Sequence, residues 1–374
     1  MTEQKSFCFM ADVHIKTRTW TNNMQLSGDA YEALTKLSQS PQLEDTKVLV
    51  IGGDWFDNNR PTSVDLELSL CFLRNFEKVY FISGNHDNVT PSFLEVFDTL
   101  PSWKVERLTE DIISLDDTEH VYIAGISWVH SADDLKSKIK QISDNFKAQY
   151  TSDDVLYIVL HTSFQHLLAF DGAYKLTKEY INEVCSGANI RILVGDIHTR
   201  NTTQYGDNPS AYIHSPGSLY PLSFDKTQEA HMVSKINMLT GEITDIPADV
   251  RQYHTLEYTD RMDLIAMTSG IVEHNPAGFL KPFLRVVLPT DSDIQITNSE
   301  FPEVVIQVVN TSADRAETNR PVRNETYTIS QAIEEELAGD DPDINDLAQA
   351  LYASDDPLAE IEGWLKHWNV ERVV

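Results

Sequence analysis

The chain has 374 residues, 41% of them hydrophobic, and a formal net charge of −29. That length exceeds one average domain and that apolar fraction builds a sizeable core, which excludes a disordered or fibrous chain and predicts a main domain with accessories. The charge excludes a surface that is basic throughout, the usual footprint of phosphate recognition, but not a local cationic site, because bound divalent ions set the charge where a substrate sits.

The opening segment, MTEQKSFCFM, has no basic region followed by a long apolar run. No apolar stretch reaches the roughly 18–20 residues that a membrane crossing needs. The expectation is a soluble cytoplasmic chain, in the host cytoplasm if the source is viral. Cys8, Cys71 and Cys185 are odd in number and widely spaced. They fit small buried residues of a reducing compartment, not a disulfide frame or a zinc cluster.

Short apolar runs recur in chain order at Phe7–Ala11, Val48–Ile51, Val79–Ile82, Val121–Ile126, Val155–Leu160 and Ile190–Val194. Each is too short for a helix and suits a buried strand. Helical patterns lie between several of them, at Asp29–Ser38, Val64–Phe76 and Leu176–Val184. The alternation predicts an α/β domain whose ligands sit beyond the carboxyl ends of the strands. After about residue 250 the pattern changes: Tyr253–Tyr258, Phe283–Leu288 and Val304–Val309 read as strands, with a helix near Arg261–Val272. Residues 310–323 are polar and loop-like, and from Ser330 the chain is acidic and helical in pattern. Leu347, Leu351, Ile361, Trp364, Leu365 and Trp368 keep helical spacing there. Such a face packs on the body or meets a partner, and packing is the commoner use.

Polar motifs follow five of these runs: Asp12–Val13–His14, Gly53–Asp54–Trp55–Phe56–Asp57, Gly84–Asn85–His86–Asp87, a single His161, and Gly195–Asp196–Ile197–His198. Singly each is weak. A Gly-Asp pair after a strand is ordinary turn chemistry, and a lone histidine is more often a satisfied core residue than a ligand. Together they put metal-binding side chains at the same end of successive strands. The chemistry that needs such a set is a pair of divalent cations, about 3.5–4 Å apart, which clamps a phosphate, generates hydroxide and stabilises a leaving oxygen. Aspartate, histidine and an asparagine carbonyl suit manganese, iron or zinc.

These motifs resemble those of the calcineurin-like metallophosphoesterase superfamily over roughly the first 230 residues, with Gly-Asn-His-Asp the most specific piece. Within it the chain is most similar to the SbcD-type DNA repair nucleases, in particular the recombination nuclease subunit of T4-like phages. That narrower likeness rests on Gly53–Asp57, on the His-Thr at 198–199 and on Ser215–Pro216–Gly217–Ser218. The resemblance implies that Asp12, His14, Asp54 and His198 hold one metal, that Asp54 bridges, and that Asn85, His161 and Asp196 complete the second. It implies that His86 faces the scissile phosphate as general acid or transition-state stabiliser, that Asp87 orients its imidazole, and that Asp57 supports the site by hydrogen bonding. The chain departs from the family where Asp196 replaces the first histidine of Gly-His-x-His. A carboxylate still ligates; its charge strengthens binding, lowers Lewis acidity and favours manganese or magnesium over softer metals. Two divalent cations, Mn2+ before Mg2+, are the expected cofactors.

The resemblance further implies a four-layer α/β/β/α sandwich over residues 1–250, a small α+β capping domain over 251–325 and an acidic C-terminal helical segment over 326–374. The implied activity is a metal-dependent DNA exo- or endonuclease of repair and recombination, acting by metal-activated water. The implied partners are DNA, an SbcC-type coiled-coil ATPase met by the C-terminal helices, and a second copy of the chain met through helices of the catalytic domain. Two rivals share the motifs: a phosphomonoesterase or nucleotide phosphodiesterase, and a non-catalytic scaffold whose metal site has degenerated at Asp196. Arg18, Arg60 and Lys226 lie near motif loops and read first as solvated cations. His166 reads as structural or surface, His214 as a support of the site or nothing, and Trp20 and Trp55 as packing by default, while no motif in the sequence supplies Ser163 or Cys185 with a catalytic base.

Overall fold

A computed structural model of the chain describes residues 5–20, 23–88, 92–95, 104–116, 118, 120–164, 176–208, 210–223, 227, 229–275, 280–289 and 294–310. The expected segment 326–374, residues 311–325, His166 and Lys226 lie outside them. In chain order the first elements are β1 (Ser6–Met10), β2 (Arg18–Trp20), β3 (Asn23–Ser27), α1 (Asp29–Ser38), β4 (Val48–Gly52), α2 (Ser63–Leu73), β5 (Lys78–Ile82) and β6 (Lys104–Arg107). Next come β7 (Ile113–Asp116), β8 (Val121–Ile126), α3 (Ala132–Gln149), β9 (Val155–His161), α4 (Lys178–Cys185), β10 (Ile190–Gly195), β11 (Asn201–Gln204) and β12 (Tyr212–Ser215). The chain continues through β13 (Met232–Asn237), β14 (Ile243–Pro247), β15 (Tyr253–Glu257), α5 (Arg261–His274), β16 (Phe283–Leu288) and β17 (Val305–Asn310).

Two six-stranded sheets form, in the orders β14-β13-β1-β4-β5-β6 and β11-β12-β10-β9-β8-β7. Their central strands are parallel, β1 with β4 and β5 in one sheet, β8 with β9 and β10 in the other. Alternate side chains of each strand enter different layers. In β1, Phe7 and Phe9 enter the core between the sheets, while Cys8 and Met10 enter the core beneath α1 and α2. In β9, Val155, Tyr157 and Val159 face the other sheet, while Leu156, Ile158 and Leu160 face α3 and α4. Burial on both faces is why these strands read as continuous apolar runs. The result is the four-layer α/β/β/α sandwich that the resemblance implies.

Three local expectations are corrected. α3, an 18-residue helix, was not anticipated; it starts on the Ser131 cap and buries Leu135, Ile139, Ile142 and Phe146 along one stripe. α2 starts on a Thr62–Asp65 capping box and ends at Leu73, short of Phe76. Cys8 and Cys185 are buried as expected, but Cys71 is exposed on the outer side of α2. Among the described residues no helix is long and apolar enough to cross a membrane.

The described residues within Met1–Val286, with Gln295–Gln307, form one compact unit. Within it, the strand β15 is fastened to the start of α1 by a buried ion pair. Arg251 Nε lies 2.9 Å from Asp29 Oδ1, and its other nitrogens donate to the Ser27 and Lys281 carbonyls. Asp29 also accepts from Tyr253 Oη at 2.8 Å and from the Thr19 hydroxyl. Leu26, Tyr253, Phe283 and Val305 make an apolar cluster beside this pair.

Removing one member of a buried ion pair strands the other. Arg251→Ala is therefore expected to cost about 3–5 kcal/mol, read as a lowered urea midpoint. Asp29→Ala with Arg251→Ala should lose less than the two single variants summed. Additive losses would mean that the pair is not coupled.

Candidate metal centre

The parallel strands of both sheets end at one rim, and every expected site residue lies there. At the first sheet, β1 leads into Asp12 and His14, β4 into Asp54, and β5 into Asn85, His86 and Asp87. At the second, β9 ends on His161 and β10 leads into Asp196 and His198, with Gly195 in register with His161. Asp12, His14, Asp54 and Asp196 have φ of 52°, 46°, 50° and 79°. That left-handed conformation costs a non-glycine residue about 1–3 kcal/mol and marks functional positions. It breaks the strand alternation abruptly, so that successive side chains turn over the rim.

Backbone bonds hold these turns. Asp12 N donates to Gly53 O, His14 N to Asp54 O and Ile15 N to Trp55 O, so two motif loops run side by side beyond β1 and β4. Asp196 N donates across the sheets to both Asp12 carboxylate oxygens, at 3.0 and 3.1 Å. Tyr220 Oη donates to His14 O at 2.8 Å, and Ser218 N to His198 O at 3.0 Å. The Ser215–Ser218 turn thus buttresses His198. Two motif glycines are required sterically. A Cβ on Gly84 would sit 2.0 Å from Asp54 Oδ1, and one on Gly53, whose φ is +94°, would sit 2.4 Å from His161 Nδ1.

Around His161 Nε2 lie Asn85 Oδ1 at 3.0 Å, Asp54 Oδ2 at 3.3 Å and Asp196 Oδ1 at 3.9 Å. His161 Nδ1 donates to Gly52 O at 2.8 Å, so Nε2, once it gives up its proton, presents a lone pair to three oxygens that present lone pairs of their own. A second set shares the same Asp54 oxygen: His14 Nε2 lies 3.5 Å from Asp54 Oδ2 and 4.0 Å from Asp12 Oδ1, which is 3.8 Å from His198 Nε2. Donors that bind one cation at about 2.1 Å stand roughly 3.0–3.4 Å apart, so both sets close on an ion with small shifts. Nε2 of buried His14 has no hydrogen-bond donor or acceptor to satisfy it, which fits a metal ligand, while Nδ1 faces the Asp57 carboxylate at 3.3 Å. The donors fit two divalent cations, which the two sets would hold with Asp54 common to both.

The electrostatics agree. Burial and the neighbouring Asp54 and Asp196 carboxylates push the Asp12 carboxyl up to about 8, against the pull of His161. Burial alone would lower the His161 imidazole, but Asp54, Asp12 and Asp196 outweigh it and push it up to about 10. Burial and the nearby His14 push His198 down to about 4. Burial opposes ionisation of Asp54, but His161, His14 and the His86 amide hold it down to about 2. A buried cluster in which the Asp12 carboxyl and the His161 imidazole retain protons is one that a cation relieves.

His86 is exposed at the mouth, in edge contact with the His14 ring at 4.7 Å between centroids. The expectation that Asp87 orients it is corrected. His86 Nδ1 donates to the Asp57 carbonyl at 2.8 Å. Asp87 instead accepts three backbone N–H groups, from Gly84, Trp55 and Phe56, at 2.8, 2.8 and 3.2 Å. It ties the β4 and β5 loops together from below. The Asp57 carboxylate lies 3.3 Å from His14 Nδ1 and accepts from Lys16 Nζ at 2.8 Å. Lys16, Tyr220 and His231, whose Nδ1 donates to Ser218 O, were not singled out from sequence. Only Lys16, two residues beyond His14, carried a positional signal.

His214 is buried between Thr202 Oγ1 and Ser234 Oγ, each at 2.8 Å, and burial then Arg200 push it down to about 3. Trp55 is fully buried, donating to Ser69 Oγ. Arg18 and Arg60 are exposed.

Two outcomes follow from this geometry. Gly84→Ala should expel the Asp54 carboxylate and empty both positions, checked by elemental analysis of the reconstituted protein; full metal content would contradict the packing. The second concerns pH. Asp12 and His161 have folded values of about 8 and 10 against ordinary values of 3.8 and 6.5. From pH 6.5 to 8 the metal-free fold thus holds more protons than the unfolded chain, and its stability falls as pH rises. Asp54 and His198, near 2 and 4, titrate below that window. Cations replace those protons, so the melting-temperature gap between Mn2+-loaded and chelated protein should widen as pH rises. A gap that is constant or narrows would refute the assignment.

Residues 5–200 match the family described as Calcineurin-like phosphoesterase. The chain is 23% identical over 300 residues to the DNA double-strand break repair protein Mre11 of Saccharolobus solfataricus, covering 75% of this chain and 74% of that one. Two solved structures, a Thermus thermophilus protein and a dimetal phosphatase from Danio rerio, each align with a TM-score of 0.43 at 10% identity, over 66% of this chain and 99% of theirs. The family match spans more than half of the sequence and every motif residue from Asp12 to His198, so this metal-binding hydrolase belongs to the calcineurin-like phosphoesterase family.

Proposed function

We propose that the protein is a metal-dependent DNA nuclease that hydrolyses phosphodiester bonds with Mn2+ bound, in DNA repair or recombination. The observation that carries the hydrolytic part is an exposed His86 set beside two donor sets that share the buried Asp54 Oδ2. The name of the Mre11 relative supports DNA as the substrate. A bound cation pair supplies Lewis acidity toward the phosphate and toward the attacking water. The chain does the rest. With Nδ1–H committed to the Asp57 carbonyl, His86 Nε2 is the nitrogen left to hand a proton to the leaving oxygen. Lys16, half-buried beside Asp57, holds that residue in place and adds positive charge at the mouth. The proposal extends to residues 251–325 as a capping domain, to a second copy of the chain, and to a coiled-coil ATPase of SbcC type. For the ATPase, acidic residues 326–374 suit a basic docking surface.

A second reading, a phosphomonoesterase or nucleotide phosphodiesterase, is favoured by the net charge of −29, which repels a long polyanion more than a small ester. Cleavage of linear duplex DNA and of p-nitrophenyl phosphate by the Mn2+-loaded chain separates the two. DNA cleavage without monoester turnover is expected, and rapid monoester turnover with intact DNA would establish the second reading. His86→Ala should keep both metals and lose cleavage by about 10²–10⁴-fold. Loss of metal from that variant would make His86 a ligand instead.

A further inference from the structure

The two donor sets are chemically unequal. One gathers Asp12, His14 and His198, with Asp54 Oδ2 beside His14, two imidazoles against two carboxylates, and Asp12 stands within reach of His161 as well. The other gathers Asp54, Asn85, Asp196 and His161, where three oxygens surround a single nitrogen. Asp196 is built into that second set. Its φ of 79° turns it over the rim, both Asp12 oxygens hold its backbone N–H, and its carboxylate is partly open to solvent at 32% exposure. Asn85 is likewise exposed, whereas the side chains of the first set are buried apart from His198. Imidazole suits zinc, iron and other borderline ions, while carboxylate and carbonyl oxygens suit magnesium and manganese. Two of the four donors of this oxygen-rich set reach water, Asn85 and Asp196, against His198 alone in the other, so its ion exchanges faster.

We infer that Asp196 makes the His161 position a hard, exchangeable site, filled by Mn2+ or Mg2+ according to supply, while the His14 position retains a borderline metal such as Zn2+ or iron. The protein then runs as a mixed-metal or half-loaded centre whose second ion is recruited from solution. This rests on the two-cation reading of the site and not on DNA being the substrate.

The test is metal binding to the full-length chelated chain, followed by calorimetry and by the electron paramagnetic resonance of Mn2+. In the wild type, Zn2+ should fill one position at least about tenfold more tightly than the other, and Mg2+ should compete only at the weaker one. Asp196→His should raise Zn2+ affinity at the weaker position by about tenfold or more and abolish Mg2+ competition there, leaving the tight position unchanged. Asp196→Asn, which keeps an oxygen donor and the side-chain size, should weaken Mn2+ at that position without reversing the order of metals. Circular dichroism confirms that each variant is folded. Two equivalent Zn2+ sites in the wild type, or an Asp196→His chain with the original order of metals, would overturn the inference. A chain that binds one ion under all conditions would overturn the two-cation reading as well. Failure to cleave DNA with two unequal sites present would remove only the nuclease proposal.

Discussion

The hydrogen bond from His161 Nδ1 to the Gly52 carbonyl joins the last residue of β9 to the last residue of β4, and so joins one sheet to the other at the metal rim. It fixes the tautomer of His161 and aims Nε2 at Asp54, Asn85 and Asp196. No side chain fits in this junction. A Cβ on Gly195 would stand 2.2 Å from the Gly52 carbonyl oxygen, and one on Gly53 would strike the His161 ring. The glycines that precede Asp54, Asn85 and Asp196 are therefore part of the site, since they let two backbones and an imidazole share one small volume.

That closeness has an electrostatic cost. Asp12 and Asp54 are buried within a few ångströms of each other's histidine partners, and Asp196 lies alongside. Without cations the cluster holds protons that aspartate and histidine ordinarily release by neutral pH. Bound cations would thus be structural as well as chemical.

Much of this was legible in the sequence because the fold writes itself in strands buried on both faces. Phe7–Ala11 or Val155–Leu160 can read as little else, and the residue after each such strand is where an α/β sheet keeps its chemistry. The positions of Asp12, His14, Asp54, Asn85, His161, Asp196 and His198 follow from that rule together with the family likeness. The role of Asp87 did not follow. Its neighbour in sequence is His86, but its carboxylate is taken by three backbone amides that only the folded loops bring together. The left-handed turns at Asp12, His14, Asp54 and Asp196 are equally silent, since few non-glycine residues adopt that conformation and nothing local announces it. α3 was missed for a different reason: its polar residues dominate the window, and the four-residue apolar stripe shows only when counted at helical spacing.

The Asp29–Arg251 pair bears on how this protein can move. The two residues are 222 positions apart, and each is almost wholly shielded from water. Any hinge at the junction between α1 and β15 would have to drag a carboxylate and a guanidinium out of their shared hydrogen bonds, a barrier of several kcal/mol before new contacts form. The start of β15 is therefore pinned to the sandwich, and movement between α1 and β15 is blocked at that corner.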